Sequence, residues 1–314
     1  MITVNILSDA ELDQIHQSTL SVLQNTGLFM EDKNALKCFQ DAGADVSHTE
    51  QIVKIPPRMV EAAIASAPEK VRLAGRDSRH DLILGSGRVH FTNFSEGVKI
   101  NDPLTNENRP PLKQDLADAA RVIDYLDEID FCEKAIGAHD VPQASVPLHN
   151  AEAFLTNTTK HCAFGPGNGR LLEKIIQMAA VIVGGMQQFT ARPIVSFTTC
   201  PVSPLKLIKE CCEIIMVSAQ HNVVCNILSM AMAGATSPAT LAGTLVTHNA
   251  EILGGITLSQ LTRKGAPVIY GSSTTAMDLK LAEASVGTPE CALISGAVAR
   301  LARYYALPSY VAGG

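Results

Sequence analysis

The hydrophobic and polar positions of the first hundred residues predict a mixed helix and strand region. Ser8 to Glu11 has the capping-box pattern, and the apolar residues that follow recur at helical spacing as far as Gly27. Predicted helices cover residues 8–27, 33–42 and 57–67, and predicted strands cover 81–84 and 88–94. Residues 1–100 are therefore predicted to form an α+β N-terminal portion.

From about Lys113 onward, short apolar runs are separated by helical patterns. The apolar runs cover residues 131–138, 160–164, 193–199, 222–230, 266–271 and 309–312, and a helix over 115–126 precedes the first. Strands that alternate with helices form βαβ units around a parallel sheet. The predicted class is α/β, with a (β/α) barrel over residues 101–314.

Three Ser-Pro or Thr-Pro pairs favour this barrel over an open parallel sheet. Each of them opens a helical run: Ser203-Pro204, Ser237-Pro238 and Thr288-Pro289. A hydroxyl side chain caps the first free amides of a helix, and proline suits the first helical position. The glycine-rich stretch 165–169 is not a dinucleotide fingerprint, because it contains proline and no ribose-binding acid follows. It is predicted to be a strand-to-helix loop.

Composition narrows the class of protein. The 314 residues are 46% hydrophobic and carry a net charge of −6, which excludes a basic surface for nucleic acid or anionic lipid. No apolar run is long enough for a transmembrane helix, and the start lacks the pattern of a signal peptide. The eight cysteines show no zinc-type spacing and are expected to be reduced. These features predict a cytoplasmic protein without its own metal.

In a barrel of this type, the chemistry lies at the carboxyl ends of the strands. There the sequence places six candidate residues for a substrate pocket: Ser229, Met230, Tyr270, Ser272, Ser273 and Thr274. Glu290, near a helix start, is a seventh candidate that could balance an ammonium charge. The competing interpretations are a polar turn for the hydroxyl residues, core packing for Met230, and stabilisation of the helix dipole for Glu290. These residues include no nucleophile–base pair.

Four further polar residues are predicted to be structural. His161, at the end of a candidate strand, either reaches the barrel mouth or is a satisfied core histidine. Cys200 lies beside a proline, and a lone cysteine in that setting is usually structural. His248 and Glu251 belong to the helix that begins near Pro238, and an outer helix of a barrel is expected to face away from the mouth.

Several segments of the chain resemble the trimethylamine:corrinoid methyltransferase family, in its pyrrolysine-containing type. The segments that carry the resemblance are CPVSPL (200–205), NILSMAM (226–232), SPATLAGTLVTHNAE (237–251), YGSSTT (270–275) and LPSYVAG (307–313). Weaker matches at 55–56, 75–77 and 157–161 extend it over the whole chain.

The resemblance implies a TIM-type (β/α)8 barrel that is incomplete at the C-terminus of this chain. It also implies transfer of a methyl group from trimethylamine to the Co(I) of a cognate corrinoid protein. This transfer is the first step of methanogenesis from methylamines. It implies that the corrinoid belongs to the partner, and this chain has no D-x-H-x-x-G pattern of its own. A homo-oligomer is also expected.

In methanogen members, the Tyr-Val-Ala-Gly strand is followed by pyrrolysine, encoded by an in-frame amber codon. The resemblance therefore implies that the catalytic residue comes immediately after Gly314 and that the chain is truncated at that codon. The ring imine of pyrrolysine would add the amine and hold a methyl group in line for transfer.

Two alternatives to this function remain open. The first is a methyltransferase that lacks pyrrolysine and acts on a quaternary amine such as glycine betaine, which the residue after Gly314 would distinguish. The second is an inactive truncated barrel that serves only as a scaffold for binding the corrinoid protein. A native mass near the 33.4 kDa of this chain would favour truncation over read-through.

Overall fold

The computed structural model describes residues 6–95 and 97–312 of the chain. The helices in this part are α1 (Asp9–Asn25), α2 (Lys33–Asp41), α3 (Pro57–Ser66), α4 (Lys113–Tyr125), α5 (Val146–Asn157), α6 (Gly169–Ile182), α7 (Met186–Ala191), α8 (Lys209–His221), α9 (Leu241–Thr262) and α10 (Pro289–Tyr304). None of the helices in these residues combines the length and the apolar character that a membrane crossing requires.

The strands in the described residues are short, and each of them spans two to five residues. They are β1 (Leu28–Met30), β2 (Asp45–Ser47), β3 (Ile52–Lys54), β4 (Val71–Leu73), β5 (Leu82–Leu84), β6 (Ile100–Asn101), β7 (Asn108–Arg109), β8 (Cys132–Glu133), β9 (Cys162–Phe164), β10 (Val195–Thr199), β11 (Lys206–Leu207), β12 (Cys225–Ser229), β13 (Met232–Ala233), β14 (Val268–Ser272), β15 (Thr275–Asp278), β16 (Glu283–Ser285) and β17 (Ser309–Val311).

The described residues of 1–70, 199–220 and 225–314 form one compact unit, called here the first unit. Three parallel strands, in the order β12–β14–β17, carry its central sheet. The register aligns Ser229 with Ser272, so that β12 and β14 end at the same level. A second sheet joins the antiparallel strands β1, β2 and β3 to β11, which runs parallel to β1.

Helix α9 is the core element of the first unit. It is apolar around most of its circumference, and such a helix is stable only when it is buried on all sides. One side packs on β12 and β14, and the other sides pack on α1, α2 and α3. The three N-terminal helices therefore complete the hydrophobic core that the long helix requires.

The second unit comprises residues 71–198 and 221–224, apart from the undescribed residue 96. Parallel pairing joins β8 to β9 and β9 to β10, and α4, α5 and α6 pack in sequence beside them. Buried Lys160 donates hydrogen bonds of 2.6–2.7 Å to the backbone oxygens of Ile123, Leu126 and Ile129. These bonds satisfy carbonyl groups at and beyond the end of α4.

Most of the predicted elements are present, and the capping box at Ser8 is confirmed. The Glu11 carboxylate accepts a 2.8 Å bond from the Ser8 amide, and the Ser8 hydroxyl accepts one from the Glu11 amide. The predicted strand over 88–94 is wrong, since only an isolated bridge at Thr92 forms there. Of the three Ser/Thr-Pro pairs, only Thr288-Pro289 opens its helix directly, because the other two helices begin at Lys209 and Leu241.

The compact units divide the chain at positions other than the predicted boundary near residue 100. The reason for this division is the packing of α1, α2 and α3 on α9, which joins the start of the chain to its last third. The division into an N-terminal portion and a barrel stays a prediction. Gly313 and Gly314, which the sequence places at the end of the last strand, lie outside the described residues.

Candidate functional site

Four of the seven predicted pocket residues come together where β12 and β14 end. Ser229 and Ser272 are buried, and the Ser273 amide donates a 2.9 Å hydrogen bond to the Ser229 backbone oxygen. The Thr274 amide donates to the Ser272 hydroxyl at 3.1 Å, and the Thr274 hydroxyl lies 3.3 Å from the Ser229 backbone oxygen. Hydrogen bonds therefore hold the turn after β14 against the end of β12. We call Ser229, Ser272, Ser273 and Thr274 the hydroxyl cluster.

A buried carboxylate, Glu251 of α9, lies beside this cluster. Its Oε2 accepts hydrogen bonds from the Ser229 hydroxyl at 2.6 Å and the Ser203 hydroxyl at 2.9 Å, and its Oε1 accepts one from the Leu205 amide at 2.9 Å. Burial raises the pKa of Glu251, although these three hydrogen bonds oppose the shift. Glu251 thus connects the end of β12 to the loop that contains Ser203 and Leu205.

His248, one turn earlier on α9, contacts the other end of the cluster. Its Nδ1 lies 2.9 Å from the Thr274 hydroxyl oxygen, and within the described residues its buried Nε2 has no hydrogen-bond partner. Burial lowers the pKa of His248 to about 3, so the ring is neutral at physiological pH.

Tyr270 faces the helices and not an open pocket. It is completely buried, and its hydroxyl donates a 2.7 Å hydrogen bond to the side-chain oxygen of Asn249 on α9. The Asn249 amide group in turn donates to the hydroxyls of Thr19 and Tyr305. Burial raises the pKa of Tyr270 well above its usual value. The ring thus anchors β14 to the helix layer, and its predicted role in substrate binding stays a prediction.

The remaining two candidates are exposed. Met230, directly after β12, has 49% of its surface exposed. Glu290 lies exposed in the first turn of α10, where the partial positive charge of a helix start favours a carboxylate. The roles of Met230 and Glu290 in the substrate pocket stay predictions.

The positions of His248 and Glu251 differ from the expectation that this helix faces away from the strand ends. Both side chains are fully buried and bond to the hydroxyl cluster. One signal was present in the sequence: the pattern from 241 to 262 is apolar on nearly every side, which indicates a helix buried all round. An ionisable residue in such a helix must find buried partners.

His161 lies at the amino end of a strand, immediately before β9, and is completely buried. Its Nδ1 is 3.0 Å from the Ala74 backbone oxygen, and burial lowers its pKa to about 4. This position supports the interpretation of His161 as a core histidine. The alternative, that His161 reaches the mouth, is wrong because the mouth lies at the carboxyl ends of the strands.

Metal-binding and thiol groups add nothing further to this site. Within residues 6–95 and 97–312, no group of three or more His, Cys, Asp or Glu side chains is placed to hold a metal ion. Burial raises the pKa of Cys211 to about 12, so its thiol stays protonated at neutral pH. Cys200 is half-buried in the loop after β10.

Comparison with known proteins decides the family. The family model described as trimethylamine methyltransferase (MTTB) matches residues 1–314. The chain belongs to the trimethylamine methyltransferase family. The resemblance to this family is thereby confirmed, and the pyrrolysine-containing type and the truncation at an amber codon stay predictions.

Three curated relatives show the range of similarity within this family. Trimethylamine methyltransferase MttB of Desulfitobacterium hafniense (strain DSM 10664 / DCB-2) is 48% identical over 307 residues, which cover 98% of this chain and 62% of that protein. MttB of Methanosarcina thermophila is 40% identical over 317 residues, 99% of this chain and 66% of that protein. A glycine betaine methyltransferase of Desulfitobacterium hafniense (strain Y51) is 30% identical over 312 residues, covering 99% and 64%. The chain thus spans a little under two thirds of the length of these relatives.

A solved structure confirms the fold. The monomethylamine methyltransferase MtmB of Methanosarcina barkeri superposes with a TM-score of 0.60 at 13% identity, over 95% of this chain and 65% of that one. MtmB in a hydroxylamine complex gives the same TM-score at 14% identity, over 96% of this chain and 67% of that one. The predicted TIM-barrel type of α/β fold is therefore confirmed.

Proposed function

We propose that this chain belongs to an enzyme that transfers a methyl group from trimethylamine to a corrinoid carried by a separate protein. The observation that carries the proposal is the match of the family model to all 314 residues, together with 48% and 40% identity to relatives named trimethylamine methyltransferase. In the reaction, the carbon–nitrogen bond of one methyl group breaks and a carbon–cobalt bond forms at Co(I). The electron pair of the broken bond stays on nitrogen, and the amine, which enters protonated as trimethylammonium, leaves as neutral dimethylamine.

The corrinoid is a second substrate in this proposal and not a resident cofactor. The chain contains no D-x-H-x-x-G pattern that would hold a cobalamin of its own. The parallel strands of the first unit supply an end at which a small amine and an incoming corrinoid domain could meet. There Glu251 and His248 would hold the hydroxyl cluster in one conformation, which supports precise positioning of the amine.

A second candidate substrate is glycine betaine. The observation in its favour is the 30% identity to a glycine betaine methyltransferase over nearly the whole chain. Trimethylamine is the better supported of the two, because the relatives named for it are 40–48% identical over a similar span.

The experiment that separates the two candidates supplies each of them at equal concentration to the purified protein with its reduced corrinoid protein. Our proposal predicts release of dimethylamine from trimethylamine at a rate well above the release of dimethylglycine from glycine betaine. Preferential release of dimethylglycine would replace the proposal by the second candidate. Release of neither product would favour the inactive scaffold.

Several finer features are part of the proposal. The partner is a cognate corrinoid protein, the location is the cytoplasm, the pathway is methanogenesis from methylamines, and the active form is a homo-oligomer. Pyrrolysine at the position after Gly314 stays a prediction, since it concerns a residue outside this chain. The codon that follows the Gly314 codon tests it directly, and a sense codon or an ochre or opal stop would contradict it.

A further inference from the structure

The parallel strands of the first unit have two faces, and the helices cover one of them. Ser229 bonds to Glu251 and Tyr270 bonds to Asn249, and both partners lie on α9. Ile227 faces the same helix, since a Cβ atom on Gly255 would lie 3.0 Å from the Ile227 side chain. Because side chains alternate along a strand, the residues between these positions lie on the opposite face.

On that opposite face, three residues form a row across the three strands. Leu228 of β12 pairs with Gly271 of β14, and Gly271 pairs with Tyr310 of β17. Residues paired directly between parallel strands lie on one face of the sheet. All three positions are within two residues of the carboxyl ends of their strands.

At the centre of this row, the missing side chain of Gly271 leaves the space that the Asn226 side chain fills. A Cβ atom there would collide with the Asn226 side-chain oxygen and would come to 2.8 Å from the Ile227 backbone oxygen. The Asn226 side chain is therefore on the same face and extends over the backbone of β14. The Asn226 amide therefore occupies the position over Gly271, in the row between Leu228 and Tyr310.

We propose that Tyr310, Gly271, Leu228 and Asn226 form a subsite for the methylated ammonium group of the substrate. Such a cation spreads its charge over its methyl groups, so it binds best to an aromatic face with apolar neighbours. The amide oxygen of Asn226 adds a partial negative charge without the desolvation cost of a carboxylate. This inference rests on the proposed function and identifies Tyr310, rather than the fully buried Tyr270, as the tyrosine that recognises the amine.

The composition of the chain allows a direct test. The sequence has five tyrosines and no tryptophan, so tyrosine labelled with ¹³C in the ring gives few NMR signals. The Tyr310 signal is assigned by its loss in Y310F. Tetramethylammonium is the probe, with potassium as the control for ionic strength and tert-butyl alcohol as the neutral control for shape. Exposed Tyr125 reports non-specific binding, and Tyr270 reports the helix-facing side.

We expect tetramethylammonium to shift the Tyr310 signal in a saturable way, while potassium and tert-butyl alcohol leave it in place. The variant Y310L should weaken the affinity for tetramethylammonium by roughly fivefold or more, and Y310F should keep most of it, because the phenyl ring retains the cation–π interaction. An unshifted Tyr310 signal at saturating probe, or equal affinity in Y310L and the unchanged protein, would overturn the subsite.

These outcomes are separate from the test of the proposed function. Release of dimethylamine together with an unshifted Tyr310 signal would overturn the subsite and keep the proposed function. A saturable shift at Tyr310 without any methyl transfer would keep the subsite and overturn the function. The measurement on the unchanged protein needs only Y310F, for the assignment, so poor folding of Y310L would not prevent a decision.

Discussion

The carboxylate of Glu251 accepts a 2.6 Å hydrogen bond from the hydroxyl of Ser229, the last residue of β12. The same carboxylate accepts hydrogen bonds from Ser203 and Leu205, in a loop 46 to 48 positions before Glu251 in the chain. A single buried side chain on a helix thus sets the relative position of a strand end and a neighbouring loop. We regard Glu251 as a positioning residue, since it would act on substrate only through the groups that it holds.

Replacing Glu251 by alanine should destabilise the protein. The variant E251A leaves the Leu205 amide and two hydroxyls without their acceptor, at a cost of about 1–3 kcal/mol in the free energy of unfolding. The variant E251Q keeps an oxygen for the amide and offers an amide group to the hydroxyls, so it should recover most of the loss. Urea unfolding measures both. Equal destabilisation by the two variants would show that these hydrogen bonds are not what makes Glu251 stabilising.

The same residue should give a characteristic pH dependence. Burial raises the pKa of folded Glu251 above its usual 4.5, so the stability linked to its proton is fully present below pH 4.5 and is lost as the pH rises through the folded pKa. Glutamine does not titrate. The unfolding free energy of E251Q, relative to the unchanged protein, should therefore increase between pH 4.5 and pH 7. A constant difference over this range would contradict the raised pKa.

Buried His161 should make the protein sensitive to mild acid. Burial lowers its folded pKa from 6.5 to about 4, so the stability linked to the neutral ring is present above pH 6.5 and is lost as the pH falls toward 4. Between pH 7 and pH 5 this one residue should remove about 2 kcal/mol from the free energy of unfolding.

The matched variants for this prediction are H161N and H48N. Asparagine at position 161 keeps a donor for the Ala74 carbonyl without the titration, so the loss of stability between pH 7 and pH 5 should become smaller. His48 is exposed, and H48N should leave that loss unchanged. The same pH dependence in H161N and the unchanged protein would assign the acid sensitivity to other groups, such as His248.

Gly271 should not tolerate a methyl group. The added Cβ of G271A collides with Asn226 and with the backbone of β12, which should cost about 1–3 kcal/mol of folding free energy. Gly137 has no atom within 4 Å of the corresponding position, so G137A is the matched control and should leave stability nearly unchanged. The urea midpoint compares the two variants. A neutral effect of G271A would mean that Asn226 can move away, and that the row across β12, β14 and β17 is not rigid.

The sequence indicates local elements well, because their signals are local. The capping box at Ser8 and the prolines that begin α3 and α10 predict helix starts to within two residues. At other positions, contacts with residues distant in the chain override the local sequence pattern. Lys206 and Leu207 pair with β1 instead of opening a helix after Pro204, and the strand-like run 88–94 makes only a bridge near Phe131.

The candidate site is harder to predict, because it depends on which face each strand turns to the helices. The sequence predicts the residues of the hydroxyl cluster, because they lie where predicted strands end. The helix-facing position of Tyr270 and the opposite position of Tyr310 follow from the register between β14 and β17, which no local pattern contains. Glu251 and His248 reach the hydroxyl cluster because α9 is buried on every side, which depends on packing with distant elements.

The most direct test of methyl transfer follows the methyl group itself. The protein is purified from the organism that carries its gene, mixed with its reduced corrinoid protein, and supplied with trimethylamine labelled with ¹³C in its methyl groups. Our account predicts one dimethylamine released for each labelled methyl group that appears on cobalt, and no release without the corrinoid protein. Absence of labelled methyl on cobalt, with reduced corrinoid protein and trimethylamine both in excess, would contradict it.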